Sequence, residues 1–196
     1  MADTLASNRK EQIRKAAGKL FSRRGYQATS VRDIAEAVGI QGGSLYAHVD
    51  SKEELLWDIV NHSADRFFAA VEPIVESDRE TLQKLREAMV AHVGVITGDL
   101  DAAAVYSTEW RHLTAERRVT FAGRRDEYES LFRRMVGQGI RERLLTPADE
   151  RFATLFVLSS LNWVYQWFKP DGPLTSEEVA RKMAEFLFDG LRRRTT

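Results

Sequence analysis

Cysteine is absent from the 196 residues. That excludes disulfides, zinc-thiolate sites and thiol catalysis, and it suits a reducing cytoplasm. Net charge is absent as well, with 29 Lys/Arg against 29 Asp/Glu, so overall charge points to no partner. No run approaches the roughly 20 apolar residues that span a bilayer. The opening Met-Ala-Asp-Thr-Leu-Ala-Ser-Asn-Arg-Lys lacks the apolar core of a signal peptide. No segment alternates apolar and polar residues as a half-buried strand does. There is no internal repeat and no low-complexity tract.

What the chain does have is a 43% hydrophobic content, enough to fill a core, and an uneven charge distribution. Between Asn8 and His48 eight Lys/Arg face three Asp/Glu, so this stretch carries +5 and the rest carries −5. Clustered basic charge is the footprint of a surface that meets phosphates, although a solvated helix face shows the same excess.

Helical periodicity runs almost throughout. Ile13, Ala16, Ala17, Leu20 and Phe21 share one face of a helix over 8–24, stopped by Gly25. Ser30 with Asp33 reads as a capping box for a second short helix carrying Ile34, Ala35 and Val38. Ser51 with Glu54 opens a long helix that Pro73 ends or kinks. Ser77 with Glu80 opens another, broken by Gly98. A shorter helix over about 101–112 follows, and Thr114 caps an arginine-rich one to about Arg141. Thr146-Pro147-Ala148-Asp149 reads as a cap, a first-turn proline and an acid, before an apolar helix to Phe168. After a loop over 169–173, Thr175 with Glu178 caps the last helix. The expectation is an all-α chain of nine helices, three before residue 50 and six after. Gly137-Gln138-Gly139 lacks the context of a dinucleotide loop and is expected to loosen or end a helix.

The stretch SVRDIAEAVGIQGGSLYAHV, residues 30–49, places two short helical patterns around Val38-Gly39-Ile40. Two helices joined by a tight glycine-containing turn form a helix-turn-helix. Gly39 suits a positive φ, and Leu45 is needed to hold a second helix of about 42–47 onto Ile34 and Val38. Gly42 and Gly43 leave the start of that helix bare, which lets backbone approach base edges in a major groove. Gln41 can pair with adenine, and Ser44 can bond several base edges. Tyr46, His48 and Lys52 can reach phosphates, Arg32 is a further DNA-binding candidate, and the backbone near Thr29 and Ser30 offers amides at a helix start. A helix-turn-helix shape alone is also a common packing unit, and a lone Tyr or His in one is usually structural.

The string from Thr29-Ser30-Val31-Arg32-Asp33-Ile34-Ala35 through Ala37-Val38-Gly39-Ile40 and Gly43-Ser44-Leu45-Tyr46-Ala47-His48 to Ser51-Lys52-Glu53-Glu54-Leu55 resembles the N-terminal domain of TetR-type transcriptional regulators. It differs where that family usually has Ser or Thr, here Gln41, and Phe, here Val49. The resemblance implies a DNA-binding domain over 1–50 and a ligand-binding and dimerisation domain over 51–196. It implies a homodimer through the last two helices, an operator in double-stranded DNA and a small-molecule effector. The sequence agrees in kind with such an interface. Phe152, Leu155, Phe156 and Ser159 lie on one side of their helix, and Val157, Leu161, Val164 and Phe168 on another. The last helix offers Val179, Met183, Phe186, Leu187 and Leu191.

The string from Asn162-Trp163 to Asp171-Gly172, with Arg125-Asp126-Glu127-Tyr128 upstream, resembles a branch of that family sensing acyl-coenzyme A thioesters in fatty-acid or steroid degradation. The branch tends to have a glycine and an aromatic near Arg143-Leu144-Leu145-Thr146. Such a ligand asks for guanidinium groups, an aromatic face and an apolar tunnel. From Arg111 to Arg143 there are nine arginines and no lysine, against five acids. Arg111, Arg118, Arg124, Arg125 and Arg133 are candidate phosphate partners, and Trp163 or Trp167 can stack on adenine. Phe67, Phe68, Met89, Val93, Trp110, Phe121, Tyr128 and Phe132 are candidates to line the site. The competing reading is solvated arginine with acid partners and tryptophans used in packing.

His62, His92 and His112 with Glu109 are the only group that invites a metal, and nothing in their spacing demands one. No metal and no cofactor are expected, and no nucleophile sits in a recognisable elbow. The expectation is a cytoplasmic repressor that an acyl-CoA thioester releases from DNA, with the long helix from Ser51 carrying the change. The rivals are a regulator answering to a non-CoA lipid or drug-like effector, an acyl-CoA-handling enzyme with a vestigial DNA domain, and a helical module that binds protein.

Overall fold

The computed structural model describes residues 2–146 and 148–191. Pro147, expected in a first helical turn, lies outside them. The described residues are almost all helical. The order is α1 (Ala2–Arg24), α2 (Val31–Ala37), α3 (Gly42–Leu45), α4 (Lys52–Val75), α5 (Thr81–Gly98), α6 (Leu100–Thr108) and a 3₁₀ turn (Glu109–His112). Then come α7 (Ala115–Arg141), α8 (Glu150–Asn162), α9 (Val164–Trp167) and α10 (Ser176–Leu191). The nine expected helices are present, the eighth interrupted at Trp163.

The chain forms two compact units. The first takes residues up to Ser63 together with Leu100–Ala122; the second takes Ala64–Asp99 together with residues from Gly123 on. Two helices supply both: 52–63 of α4 and 115–122 of α7 belong to the first, and the remainder of each to the second.

In the first unit, Ile13, Ala17 and Phe21 of α1 meet Ile34, Ala35, Leu45, Leu56, Ile59, Val105 and Phe121 in one buried core. Gly25, at φ 83°, turns the chain out of α1, and its N–H closes the helix on the Phe21 carbonyl at 2.9 Å. Ser30 then caps α2 as expected. Its hydroxyl accepts from Asp33 N–H while the Asp33 carboxylate accepts from Ser30 N–H. Those bonds from Ser30 hold the Asp33 carboxyl below the usual carboxylate range. Gly39 adopts φ 69°, the left-handed conformation expected of the turn.

In the second unit, Thr175 and Glu178 form the expected box at the start of α10. Ser77 behaves otherwise. Its hydroxyl donates to the Ile74 carbonyl at 2.7 Å, closing α4, and α5 starts only at Thr81, after Glu80, three residues later than a Ser77 cap would start it. An orphaned carbonyl at the end of one helix outcompeted the amides of the next. Pro73 neither ends nor precedes the end of α4 by much: it lies inside the last turn, and the helix closes at Val75. Asp149 rather than Thr146 caps α8, accepting from Phe152 N–H at 2.7 Å.

Gly137 and Gly139 do not loosen α7, which runs on to Arg141. They let the following segment come close. A Cβ at Gly139 would sit 2.8 Å from the Leu145 side chain, and one at Gly137 would sit 2.6 Å from the Glu150 carboxylate. Arg143 makes the turn between them at φ 59°, a conformation that glycine adopts with less strain.

Candidate functional site

The α2–turn–α3 element displays most of the residues expected to read DNA. Gln41, Gly43, Ser44 and Arg32 are exposed, Gly42 and His48 half-buried, and Tyr46 is 57% exposed. Leu45 points the other way and is fully buried. α3 is shorter than expected, four residues, with looser turns carrying the chain through His48. Gln41 stands at its N-cap but makes no side-chain capping bond, so its amide is not spent on the helix.

Nothing within the protein asks for glycine at positions 42 and 43. A Cβ at either would meet no atom within 4 Å, and neither has a positive φ. Glycine in a helix costs roughly 1 kcal/mol relative to alanine. The fold carries that cost at the start of a short helix whose neighbours Gln41 and Ser44 are exposed, which leaves the backbone there open to close approach.

The structure gives other expected contacts internal work. Thr29 is buried, and its hydroxyl donates to the Gly25 carbonyl at 2.9 Å. The Thr29 and Ser30 amides already donate to the Tyr26 carbonyl and the Asp33 carboxylate, so neither stands open for phosphate. Lys52 turns inward. Its ammonium donates to the Tyr26 and Thr29 carbonyls at 3.0 and 2.9 Å and lies 4.2 Å from the Tyr26 ring centre. It braces the α1–α2 loop, whose carbonyls have no helix to bond. The same loop is gripped from the 3₁₀ turn: Glu109 accepts from Tyr26 N–H at 2.8 Å, and His112 stacks on the Tyr26 ring. Sequence reasoning missed that grip, because the partners are 83 residues apart.

The second unit holds an aromatic cluster. Phe67 and Phe68 of α4 meet Tyr128 and Phe132 of α7, with ring centres 5.5–5.7 Å apart between Tyr128 and the others. Met89 and Val93 are buried on α5. At the centre stands His92, which sequence reasoning had set aside. Its ring stacks on Phe67 at 4.7 Å. Nδ1 faces the Tyr128 hydroxyl at 2.8 Å, and Nε2 faces Asn162 Oδ1 at 3.1 Å. An amide oxygen only accepts, so Nε2 carries the proton and Nδ1 accepts from Tyr128. Burial strips the ring of water and lowers its pKa from 6.5 to about 4, against the opposing pull of Asn162.

That shift makes a pH prediction. The unfolded chain binds a proton near pH 6.5 that the folded chain refuses until about pH 4. Stability is therefore full above pH 6.5 and falls as pH drops toward 4, by about 3 kcal/mol from this group. Urea unfolding at pH 7 and pH 4.5 is expected to show a smaller acid loss in His92→Phe than in wild type.

The remaining candidates lie elsewhere. Trp110 and Phe121 join the first unit's core, 5.9 Å apart, and are not brought to the cluster. Residues 100–122 fold with α1, so their apolar side chains serve that unit. Trp163 and Trp167 are 61% and 47% exposed, and Arg125 is exposed on α7. Several arginines are engaged by acids. Arg117 bridges Glu53 and Glu54, Arg133 pairs with Glu129, and Arg124 reaches Asp65 at 2.6 Å. Among the described residues, no three His, Asp or Glu side chains converge as a metal site would need, and no single helix is long and apolar enough to cross a membrane.

α8 separates its two apolar faces as its sequence suggests. Val157, Leu161 and the following Val164 are buried, while Phe152 and Phe156 are 71% and 54% exposed. Phe186 of α10 is 82% exposed. All three exposed rings belong to the second unit.

A helix-turn-helix with a bare, outward reading helix, joined in one chain to an all-helical unit with an aromatic interior, defines a DNA-binding transcriptional regulator. Residues 13–59 match the family described as "Bacterial regulatory proteins, tetR family", and residues 78–191 match "Tetracyclin repressor-like, C-terminal domain". The chain belongs to the TetR family. Its relatives include the HTH-type transcriptional repressor KstR2 of Rhodococcus jostii (strain RHA1), 31% identical over 94% of this chain and 92% of that one. The solved structure of the ketosteroid transcriptional regulator KstR2 of Mycobacterium tuberculosis is 28% identical with a TM-score of 0.90, covering 95% of this chain and 96% of that one. AibR, solved in complex with isovaleryl coenzyme A and operator DNA, is 31% identical with a TM-score of 0.83, covering 92% of this chain and 98% of that one.

Proposed function

We propose that this regulator is a cytoplasmic, homodimeric repressor that an acyl-CoA thioester releases from its operator. Residues 1–50 read DNA, and residues 51–196 bind the effector and the second subunit. The observation that carries DNA reading is the pair of glycines at 42 and 43, which the fold itself does not require. Repression is supported by the KstR2 relative, and the effector class by AibR, whose structure holds isovaleryl coenzyme A. The interior of Phe67, Phe68, Tyr128 and Phe132 suits an apolar acyl group. Dimerisation is supported by the outward aromatics of α8 and α10.

Release is a linkage between two sites: an effector that prefers the DNA-free form lowers operator affinity by its differential binding. A tenfold release needs only about 1.4 kcal/mol. The acid partners of Arg117, Arg124 and Arg133 favour a second reading, in which the effector is a lipid or drug-like molecule without phosphates. In that case the free acid releases DNA as well as its CoA thioester does, and Arg125→Ala leaves release unchanged.

The deciding experiment is a gel shift on an operator selected from random duplexes, repeated with CoA thioesters and the matching free acids. Affinity is expected to fall steeply with salt. Tyr46→Phe is expected to weaken all sites about threefold to tenfold, as loss of a phosphate contact does. Gln41→Ala is expected to lose roughly tenfold or more of discrimination at one adenine. Equal losses on every sequence for Gln41→Ala would overturn its role in base reading.

A further inference from the structure

Three polar side chains from three helices meet inside an otherwise apolar cluster. His92 of α5 is 2% exposed and Tyr128 of α7 is 6% exposed, while Asn162, the last residue of α8, is half-buried. The open side of the triad is therefore the Asn162 side. Phe67 stacked on one face of the imidazole and Phe132 edge-on at 6.0 Å fix the ring plane. Asn162 Oδ1, which only accepts, fixes the tautomer: the single N–H, on Nε2, is aimed at it, and Nδ1 accepts from Tyr128. A purely hydrocarbon ligand has no use for such a donor.

We propose that His92, Tyr128 and Asn162 anchor the carbonyl oxygen of the acyl thioester, which takes the place of Asn162 on His92. This rests on the acyl-CoA effector proposed above. The exchange balances. A thioester carbonyl, like an amide oxygen, only accepts, so Nε2–H passes from one acceptor to the other and the Tyr128 bond is untouched. The released Asn162 amide, already half-exposed, turns to water. The acyl chain then lies along Met89 and Val93, which are buried on the helix that carries His92.

The displaced residue sits at a weak point. α8 stops at Asn162, and Trp163 separates it from α9. The outer face of α8 carries Phe152 and Phe156, part of the surface assigned to the second subunit. Occupancy of the anchor is thereby registered in the helix that presents the dimer surface.

The test uses a series of straight-chain and cyclic acyl-CoA thioesters with full-length protein on its operator. The best thioester is compared with its S-alkyl thioether, in which a methylene replaces the carbonyl. The thioester is expected to release DNA at about tenfold lower concentration, equivalent to about 1.4 kcal/mol. Tyr128→Phe, which removes the hydroxyl that favours an unprotonated Nδ1, is expected to shrink that preference below about threefold. Asn162→Ala is expected to tighten thioester binding, because the internal competitor is gone; a triad that merely ties helices together would not do this. If thioester and thioether release DNA alike from wild type, the anchor is wrong while the acyl-CoA effector stands. If no thioester releases DNA, the effector class fails and the anchor with it.

Discussion

Gly43→Leu is expected to abolish operator binding, raising Kd at least about 100-fold, while the protein stays folded. Gly43 is exposed, has no positive φ, and has nothing within 4 Å of where a Cβ would stand. The folded chain therefore accepts a side chain there. In fact Gly43→Ala is expected to raise stability by about 0.5–1 kcal/mol, since alanine restricts the unfolded chain and favours helix. Operator affinity moves the opposite way. A side chain on the tip of α3 holds its backbone off the base edges and costs the contacts made by Gln41 and Ser44 together, each worth about 1–3 kcal/mol if well paired. Thermal unfolding followed by circular dichroism, beside fluorescence anisotropy on the operator, reads both quantities. A Gly43→Leu protein that binds its operator at wild-type strength would remove the basis for placing α3 in a groove.

Phe152→Asp combined with Phe186→Asp is expected to give a folded monomer that has lost at least about 100-fold in operator affinity. Both rings are mostly exposed in a single chain, at 71% and 82%, so the substitutions cost the isolated subunit little. At a two-fold interface each subunit would bury both positions, and four carboxylates without partners would be brought together. The heads then bind half-sites independently. The gain from tethering two heads on one operator, typically about 10²–10⁴, disappears. Sedimentation and anisotropy test the two parts separately. A double variant that stays dimeric would place the subunit contact elsewhere.

Features fixed by nearby residues were legible in the sequence. Ser30 with Asp33 and Thr175 with Glu178 form boxes because each needs only partners three residues apart. Gly39 is left-handed, at φ 69°, in the turn between two short helices. Ser77 shows where local logic stops: the same hydroxyl had two helix ends in reach, and the carbonyl of Ile74 took it. Lys52 looked like a phosphate ligand because nothing in the sequence shows that the Gly25 turn aims two carbonyls at it. Periodicity identified Trp110 and Phe121 as apolar-face residues but carries no information about which core they join. His92 and Asn162 lie 70 residues apart, and an isolated histidine on a helix does not reveal an asparagine waiting across the fold.

The four tryptophans are divided evenly between the units. Trp57 and Trp110 belong to the first and are half-buried, with the Arg117 guanidinium 5.4 Å over the Trp57 ring. Trp163 and Trp167 belong to the second and are 61% and 47% exposed. Their emission is expected to lie further to the red and to be more open to iodide than that of the half-buried pair. Replacing the outer two by phenylalanine leaves a chain whose intrinsic light comes from the reading unit alone, a reporter of operator engagement that needs no attached dye.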